Sequence, residues 1–214
     1  MCGIAGFCNH KRNYETEAVR FRTCLDAMRT VLAHRGNDNH GIYLNKTTGL
    51  AHSRLSIRDI TGGCQPMTRK LDGHTFTIVY NGEIYNTDEL IPELSKNGYI
   101  FETTSDTEVI LYAYMHFGPE FVRHLNGIFA FAIWDDRIKR LLLYRDRAGV
   151  KPLFYTLMDD TLIFGSEPKA CFEYPGFTPS LDKKGLLELL SIGPAHTSGC
   201  GIFKGLKEVL PGHF

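Results

Sequence analysis

Two consecutive patterns of paired strands in the second half of the chain constrain its fold most. Apolar residues alternate over 128–134, a turn follows at Asp135-Asp136, and a further strand pattern covers 140–144. A second pattern pairs 153–157 with 162–165 across a short polar turn. Because a tight turn returns the chain beside itself, these patterns predict antiparallel β-hairpins.

Helical patterns gather mainly in the first half. Apolar residues at spacings of three and four predict a helix over 18–33, and further helices are predicted from Asn86 or Thr87 and from Ser105-Asp106. A helical piece over 120–125 and a closing helix over 181–192 follow. Shorter strand patterns cover residues 3–8, 41–44, 51–57 and 74–80. Helices and hairpins that are segregated along a chain predict an α+β fold, and no linker-like segment divides residues 1–214, so we expect one domain.

Charge and composition exclude several functional classes. Lys plus Arg (24) balances Asp plus Glu (24), so no net field favours nucleic acid or an anionic membrane. No apolar run reaches the roughly 18 residues of a membrane span, and the N-terminus does not resemble a signal peptide, so we expect a cytoplasmic protein. The six cysteines and nine histidines lack metal-ligand spacing, and no phosphate-binding loop occurs, so no metal or cofactor is expected in this domain.

Cys2 is the first candidate for chemistry. If the initiator methionine is removed, Cys2 carries the α-amine, whose pKa of about 7.7–8.0 suits it to accept the thiol proton. The alternative is a buried, inert cysteine, which is common in folded proteins.

Asn81-Gly82 is the second candidate. An Asn side chain and a Gly backbone N–H can both donate to a developing oxyanion. The same dipeptide is also a strong hairpin signal, and it would then only join the strand over 74–80 to a return strand at Ile84-Tyr85.

Arg54, Glu83 and Asp106 form a third group. An amino acid presents a carboxylate, which suits a bidentate Arg, and an ammonium, which suits carboxylates. Taken singly, Asp106 can be a helix cap and Arg54 a solvated charge.

Several separate segments together resemble the class II glutamine amidotransferase domain, an N-terminal-nucleophile hydrolase, as found in glutamine-hydrolysing asparagine synthetases. The similar segments are residues 1–7 (MCGIAGF), 80–86 (YNGEIYN), 105–110 (SDTEVI), 145–155 (RDRAGVKPLFY), 165–170 (GSEPKA) and 210–213 (LPGH). Their order and spacing match over essentially the whole chain. Asn37 stands where the family usually has proline in its His-Arg-Gly-Pro-Asp segment.

The resemblance implies a four-layer αββα sandwich of two antiparallel sheets. It also implies Cys2 as nucleophile and Asn81 with Gly82 as the oxyanion hole. Further implied roles are Arg54 binding the glutamine carboxylate, Glu83 and Asp106 binding its ammonium, and Leu55 and Ile57 shaping the pocket.

The implied activity is hydrolysis of L-glutamine to L-glutamate and ammonia through a thioester. The ammonia would serve a C-terminal synthetase domain that amidates aspartate with ATP and magnesium, a ligase reaction of asparagine biosynthesis. That domain is not in these residues, and the abrupt end at Phe214 predicts that the chain is an N-terminal part of a longer polypeptide. Two alternatives stay open: a related amidotransferase with a sugar or other acceptor, and a silent glutamine-binding regulatory domain. The oligomeric state also stays open, a homodimer being one possibility.

Overall fold

The structure is a computed structural model that describes residues 1–56, 59, 62–193, 197, 199 and 201–214. In this part of the chain, ten strands form two antiparallel sheets. The strands are β1 (Gly3–Cys8), β2 (Asn39–Leu44), β3 (Thr48–Arg54), β4 (Met67–Leu71), β5 (His74–Ile84), β6 (Gly127–Asp135), β7 (Arg140–Arg145), β8 (Phe154–Met158), β9 (Thr161–Gly165) and β10 (Lys207–Glu208).

The strand order is β10-β8-β9-β1-β3-β2 in the larger sheet and β4-β5-β6-β7 in the smaller one. The helices are α1 (Ala18–Thr30), α2 (Thr87–Lys96), α3 (Asp106–Phe117), α4 (Pro168–Phe172) and α5 (Lys183–Ile192). Short 3-10 helices occupy Tyr14–Glu17, Ala33–Arg35 and Pro119–His124. No helix within the described residues combines the length and the apolar character needed to cross a membrane.

The layers follow from where the apolar side chains point. The buried face of α1, which includes Phe21 and Leu25, packs on the six-stranded sheet. Helices α2 and α3 cover the four-stranded sheet, and a third cluster that includes Ile4 and Val79 fills the space between the sheets. The predicted αββα sandwich is therefore confirmed, because each sheet buries one face on helices and the other face on the opposite sheet.

The predicted hairpin at Asn81-Gly82 is wrong. β5 continues straight through this dipeptide and pairs Asn81 with Ala130 and Gly82 with Phe129. A Cβ on Gly82 would clash with the carbonyl oxygen of Ile128, so glycine here permits close approach of β6 and does not form a turn. The dipeptide is therefore held in the middle of a sheet, which is a rigid position for functional groups.

The remaining differences are smaller. The helix predicted over 18–33 ends at Thr30, and the piece over 120–125 is a 3-10 helix. The strand predicted over 51–57 begins earlier, at Thr48, and ends at Arg54. The short edge strand β4 and the five-residue helix α4 were not predicted, because a few residues carry too little periodicity to indicate an element.

Candidate active site

Strand alternation directs two predicted site residues into the space between the sheets. Ile4 and Leu50 belong to the cluster between the sheets. Side chains two or four positions along an extended strand point to the same face. Cys2, just before β1, and Arg54, the last residue of β3, therefore point toward the four-stranded sheet.

The same rule places Asn81. Val79 in β5 packs between the sheets, so Asn81 points from the opposite sheet toward Cys2 and Arg54. Cys2, Arg54 and Asn81 meet at one end of the sandwich, where they line a single pocket of about 120 Å³.

That pocket brings together seven of the eight predicted site residues: Cys2, Arg54, Leu55, Asn81, Gly82, Glu83 and Asp106. Ile57, the eighth, lies outside the described residues. The pocket is also lined by residues that the sequence did not single out, among them Gln65, Tyr80, Ser105, Thr107, Ile128 and Lys151.

The Cys2 side chain is half-buried, and its Sγ donates to the carbonyl oxygen of Leu55 at 3.6 Å. Burial is the main cause that raises the pKa of Cys2, and the positive charges of the nearby N-terminus and of Arg54 only partly oppose that rise. At neutral pH the thiol form therefore predominates, and a nucleophilic role requires a base that removes its proton.

Arg54 is buried, not a solvated charge: only 4% of the residue is exposed. Its Nη2 donates to the backbone oxygen of Asp59. The Asp59 carboxylate in turn accepts from the N–H groups of Gly62 at 2.6 Å and Thr104 at 2.9 Å. Asp59 thus links Arg54 to Thr104, which precedes α3. The Arg54 guanidinium is thereby held at the pocket wall.

Asn81 carries a buried polar group without a partner. Its Nδ2 is inaccessible to solvent and makes no hydrogen bond within the part of the chain that the structure describes. Leaving such a donor unpaired costs about 1–3 kcal/mol. An orphaned donor in a pocket wall is a group that a bound molecule can satisfy.

Asp106 is the first residue of α3 and is not its cap. Ser105 is the N-cap, because its side chain accepts from the N–H of Thr107 at 3.3 Å. The Asp106 Oδ2 instead accepts from the Tyr80 hydroxyl at 2.7 Å and from the N–H of Ile84 at 3.2 Å. The carboxylate is therefore nearly buried and oriented by neutral donors, whereas Glu83 is exposed at the pocket rim.

A buried arginine supports the backbone of Cys2. Arg35 donates from Nε to the carbonyl oxygen of Cys2 at 3.0 Å and from Nη1 to Glu167 at 2.8 Å. His34 and Lys169 also contact Glu167. The pKa of Glu167 is lowered to about 2 although burial opposes this, because hydrogen bonds from Arg35, His34 and Lys169 favour the carboxylate. The motif around His34 and Arg35 was the only sequence signal for this support.

The arrangement combines a nucleophile precursor, an unpaired amide donor, a buried cation and a buried carboxylate. A cation and a carboxylate on one wall can hold the two charged groups of an amino acid. An amide donor beside a thiol can stabilise the oxyanion of acyl transfer. Among the described residues, no group of three His, Cys, Asp or Glu side chains is placed to hold a metal ion.

Comparison with known proteins agrees with the chemistry inferred from the pocket. A family described as "Glutamine amidotransferase domain" matches residues 1–214. The chain is 45% identical over 213 residues to asparagine synthetase [glutamine-hydrolyzing] 3 of Bacillus subtilis, with all of this chain and 34% of that protein covered. It is 41% identical over 154 residues to asparagine synthetase B [glutamine-hydrolyzing] of Escherichia coli, with 72% and 26% covered.

A fungal relative and a solved structure complete the comparison. Amidase chry2 of Gibberella zeae is 31% identical over 222 residues, with all of this chain and 32% of that protein covered. Glutamine phosphoribosylpyrophosphate amidotransferase from B. subtilis, solved with ADP and GMP, superposes with a TM-score of 0.64 at 22% identity, covering 80% of this chain and 43% of that one. At that identity the likeness shows the fold alone. The chain spans about a third of the length of the curated relatives it matches.

Proposed function

The chain belongs to the glutamine amidotransferase domain family, and on that premise we propose that it hydrolyses L-glutamine to L-glutamate and ammonia with Cys2 as the nucleophile. One observation carries the proposal. Cys2, Asn81, Arg54 and Asp106 line a single pocket, and the Nδ2 of Asn81 has no hydrogen-bond partner among the described residues.

The nucleophile needs a proton acceptor. After removal of Met1, the α-amine of Cys2 accepts the thiol proton, directly or through a water molecule. The thiolate attacks the carboxamide carbon of glutamine, a C–S bond forms, and the C=O electron pair moves onto oxygen. As the pair returns, the C–N bond breaks and the nitrogen leaves as ammonia with the proton that the amine held. Water then attacks the thioester, which releases glutamate and restores the thiol.

The oxyanion forms beside two donors. The Nδ2 of Asn81 has no competing partner within the described residues, so it is available at the moment that negative charge develops. Gly82 supplies a backbone N–H from the same strand, and the lack of a side chain leaves that backbone open to close approach.

The rest of glutamine is held by charge. Arg54 takes the α-carboxylate through two parallel N–H donors, and Asp106 and Glu83 take the α-ammonium. Leu55, which lines the pocket, shapes it around the methylene groups. Since both charged groups of the substrate are bound, we expect a strong preference for an α-amino acid amide.

The ammonia is proposed to serve the remaining part of a longer polypeptide. The matched relatives are about three times as long, and two of them carry the name asparagine synthetase. We therefore propose aspartate as the acceptor, amidated with ATP and magnesium by a C-terminal domain, with no cofactor in this domain. The match to a protein named amidase chry2 supports another acceptor as the second candidate.

Product analysis tests the proposal. The chain, shown by intact mass to lack Met1, is incubated with L-glutamine, and glutamate and ammonia are measured separately. We expect equal amounts of the two products and little reaction with L-asparagine, whose shorter side chain does not bring its carboxamide to Cys2. A processed, folded chain that forms no glutamate would overturn the proposed activity and favour a silent glutamine-binding domain.

A further inference from the structure

Tyr80, which was not among the predicted site residues, is held by three polar contacts with three different segments. Its N–H donates to Gln65 Oε1 at 2.6 Å, and its carbonyl oxygen lies 3.1 Å from His52 Nε2. Its hydroxyl lies 2.7 Å from Asp106 Oδ2. All four residues are buried. The position of Tyr80 is therefore fixed along both its backbone and its side chain.

The hydroxyl donates to the carboxylate. Burial raises the pKa of Tyr80 well above its usual value, and the negative charge of Asp106 raises it further. The phenol therefore stays protonated, and an ionised carboxylate can only accept. A hydrogen bond to a charged acceptor is roughly twice as strong as one between neutral groups, so Tyr80 is a substantial determinant of how Asp106 is oriented.

Gln65 links the backbone of Tyr80 to the first turn of α3. Its Oε1 must be the oxygen, because the Tyr80 backbone N–H can only donate to it. Its Nε2 then donates to the Thr107 hydroxyl at 3.2 Å. Thr107 directly follows Asp106 in the first turn of α3. The strand that carries Tyr80 and the turn that carries Asp106 are thus fixed relative to each other.

We propose that Tyr80 is a positioning residue that orients the Asp106 carboxylate toward the ammonium group of the substrate, and so makes the pocket selective for an α-amino acid amide over its deamino analogue. The proposal rests on the proposed function, because it assigns Asp106 to the ammonium of glutamine. Tyr80 itself acts through Asp106 and transfers no proton in the reaction.

The molecule contains a matched control. Tyr114 also donates its hydroxyl to a buried carboxylate, Asp135, at the same 2.7 Å and in the same apolar cluster as Tyr80. Neither Tyr114 nor Asp135 lines the pocket. Tyr→Phe at either position removes one oxygen from a buried tyrosine–aspartate pair, but only Tyr80→Phe does so beside the site.

Binding is measured by calorimetry on the chain that carries Cys2→Ala and is shown by intact mass to lack Met1, so that neither turnover nor Met1 interferes. The ligands are L-glutamine and 4-carbamoylbutanoate, which is glutamine without its α-amino group. We expect Tyr80→Phe to weaken glutamine binding about tenfold, and to leave 4-carbamoylbutanoate binding unchanged. Tyr114→Phe should leave both affinities unchanged, although it lowers the thermal stability.

Two results would overturn the role of Tyr80. One is unchanged glutamine binding in Tyr80→Phe, and the other is equal weakening of both ligands, which would indicate a general disturbance of the pocket. The proposed function fails separately, if the processed chain with Cys2 intact does not hydrolyse glutamine. Absence of glutamine binding to the Cys2→Ala chain would overturn both proposals.

Discussion

At the scale of one residue, replacing Arg54 separates the contribution of its charge to carboxylate binding from the contribution of its hydrogen-bond geometry. Its guanidinium is buried at the pocket wall and can give a carboxylate two parallel hydrogen bonds. Lys keeps the charge but cannot reproduce that pairing, so Arg54→Lys should raise KM for glutamine with a smaller change in kcat. The expected loss is about 1.5–3 kcal/mol, the range for hydrogen bonds to charged groups.

Steady-state kinetics of Arg54→Lys are compared with those of Arg123→Lys, which alters an exposed ion pair with Glu120. The control should match the unmodified chain. An unchanged KM in Arg54→Lys would remove this residue from the carboxylate site.

Asn81 should affect the chemical step more than binding. Its Nδ2 has no partner in the described part of the chain, and we expect it to donate when negative charge develops on the carbonyl oxygen of the substrate. Asn81→Ala should therefore lower kcat by about 10²–10³ and change KM little. The control is Asn97→Ala, which removes an exposed amide at the end of α2. If Asn81→Ala instead raised KM and preserved kcat, Asn81 would be a substrate-binding residue and not an oxyanion donor.

Residue types and motif positions were enough to indicate Cys2, Arg54, Asn81 and Asp106, because each side chain has a chemistry that a motif can mark. Tyr80 stands in the similar segment 80–86, but neither the segment nor the residue type indicated a role for it. Its alternation with apolar neighbours is typical of strand core, and its hydroxyl meets a carboxylate 26 positions along the chain. Such a contact depends on how a strand and a helix pack, which periodicity does not indicate.

At the scale of elements, the periodicity of strands and helices was reliable, whereas the Asn-Gly turn signal was not. The patterns correctly gave β6 paired with β7 and β8 paired with β9. The Asn-Gly signal failed because Gly82 does not form a turn. Glycine stands here because β6 approaches so closely that a side chain would clash with it. Nine residue pairs join β5 to β6, and this long antiparallel ladder outweighs the local preference of Asn-Gly for a turn.

His52 joins the two sheets and should make their stability depend on pH. It is fully buried in β3, and its Nε2 contacts the carbonyl oxygen of Tyr80 in β5. Burial is the main cause that lowers the pKa of His52 to about 4, whereas an unfolded histidine has a pKa of about 6.5. Between these values the unfolded chain binds a proton that the folded chain does not.

The free energy of unfolding should therefore fall as the pH falls from about 6.5 to about 4, and this histidine should account for about 3 kcal/mol of the loss. Glu167, whose pKa is lowered from 4.5 to about 2, loses its contribution as the pH falls between these values, so most of its loss lies below the range of His52. Urea unfolding at a series of pH values should give a flatter profile for His52→Gln than for the unmodified chain. Parallel profiles over that range would show that His52 is not held neutral.

At the scale of the whole molecule, segregated helices and hairpins predicted the α+β class, and the resemblance to the amidotransferase family implied the αββα sandwich. The order of strands in each sheet could not be predicted. The six-stranded sheet places β9 beside β1, although more than 150 residues separate them. That pairing brings the N-terminal strand to the centre of the sheet and so fixes Cys2 within the fold. Local sequence patterns do not indicate the pairing of two strands that lie so far apart along the chain.

Processing of the N-terminus should decide whether the whole molecule is active. With Met1 attached, the nitrogen of Cys2 is an amide and is not basic. Because burial also raises the pKa of the thiol, little thiolate forms at neutral pH. A chain that retains Met1 should therefore turn over glutamine poorly, and its methionine should crowd the pocket that it lines.

Intact-mass measurement paired with a glutaminase assay tests this. Preparations are made with Met1 fully removed and fully retained. Equal rates for the two would show that the α-amine is not the base.

The nucleophilic role of Cys2 is tested by the rate of glutamate formation after this residue is replaced. Cys2→Ala is compared with Cys64→Ala, which changes an exposed cysteine that does not line the pocket. Thermal unfolding of each variant verifies that it is folded. We expect no measurable glutaminase activity in Cys2→Ala and an unchanged rate in Cys64→Ala. Substantial glutamate formation by folded Cys2→Ala would contradict the thioester mechanism.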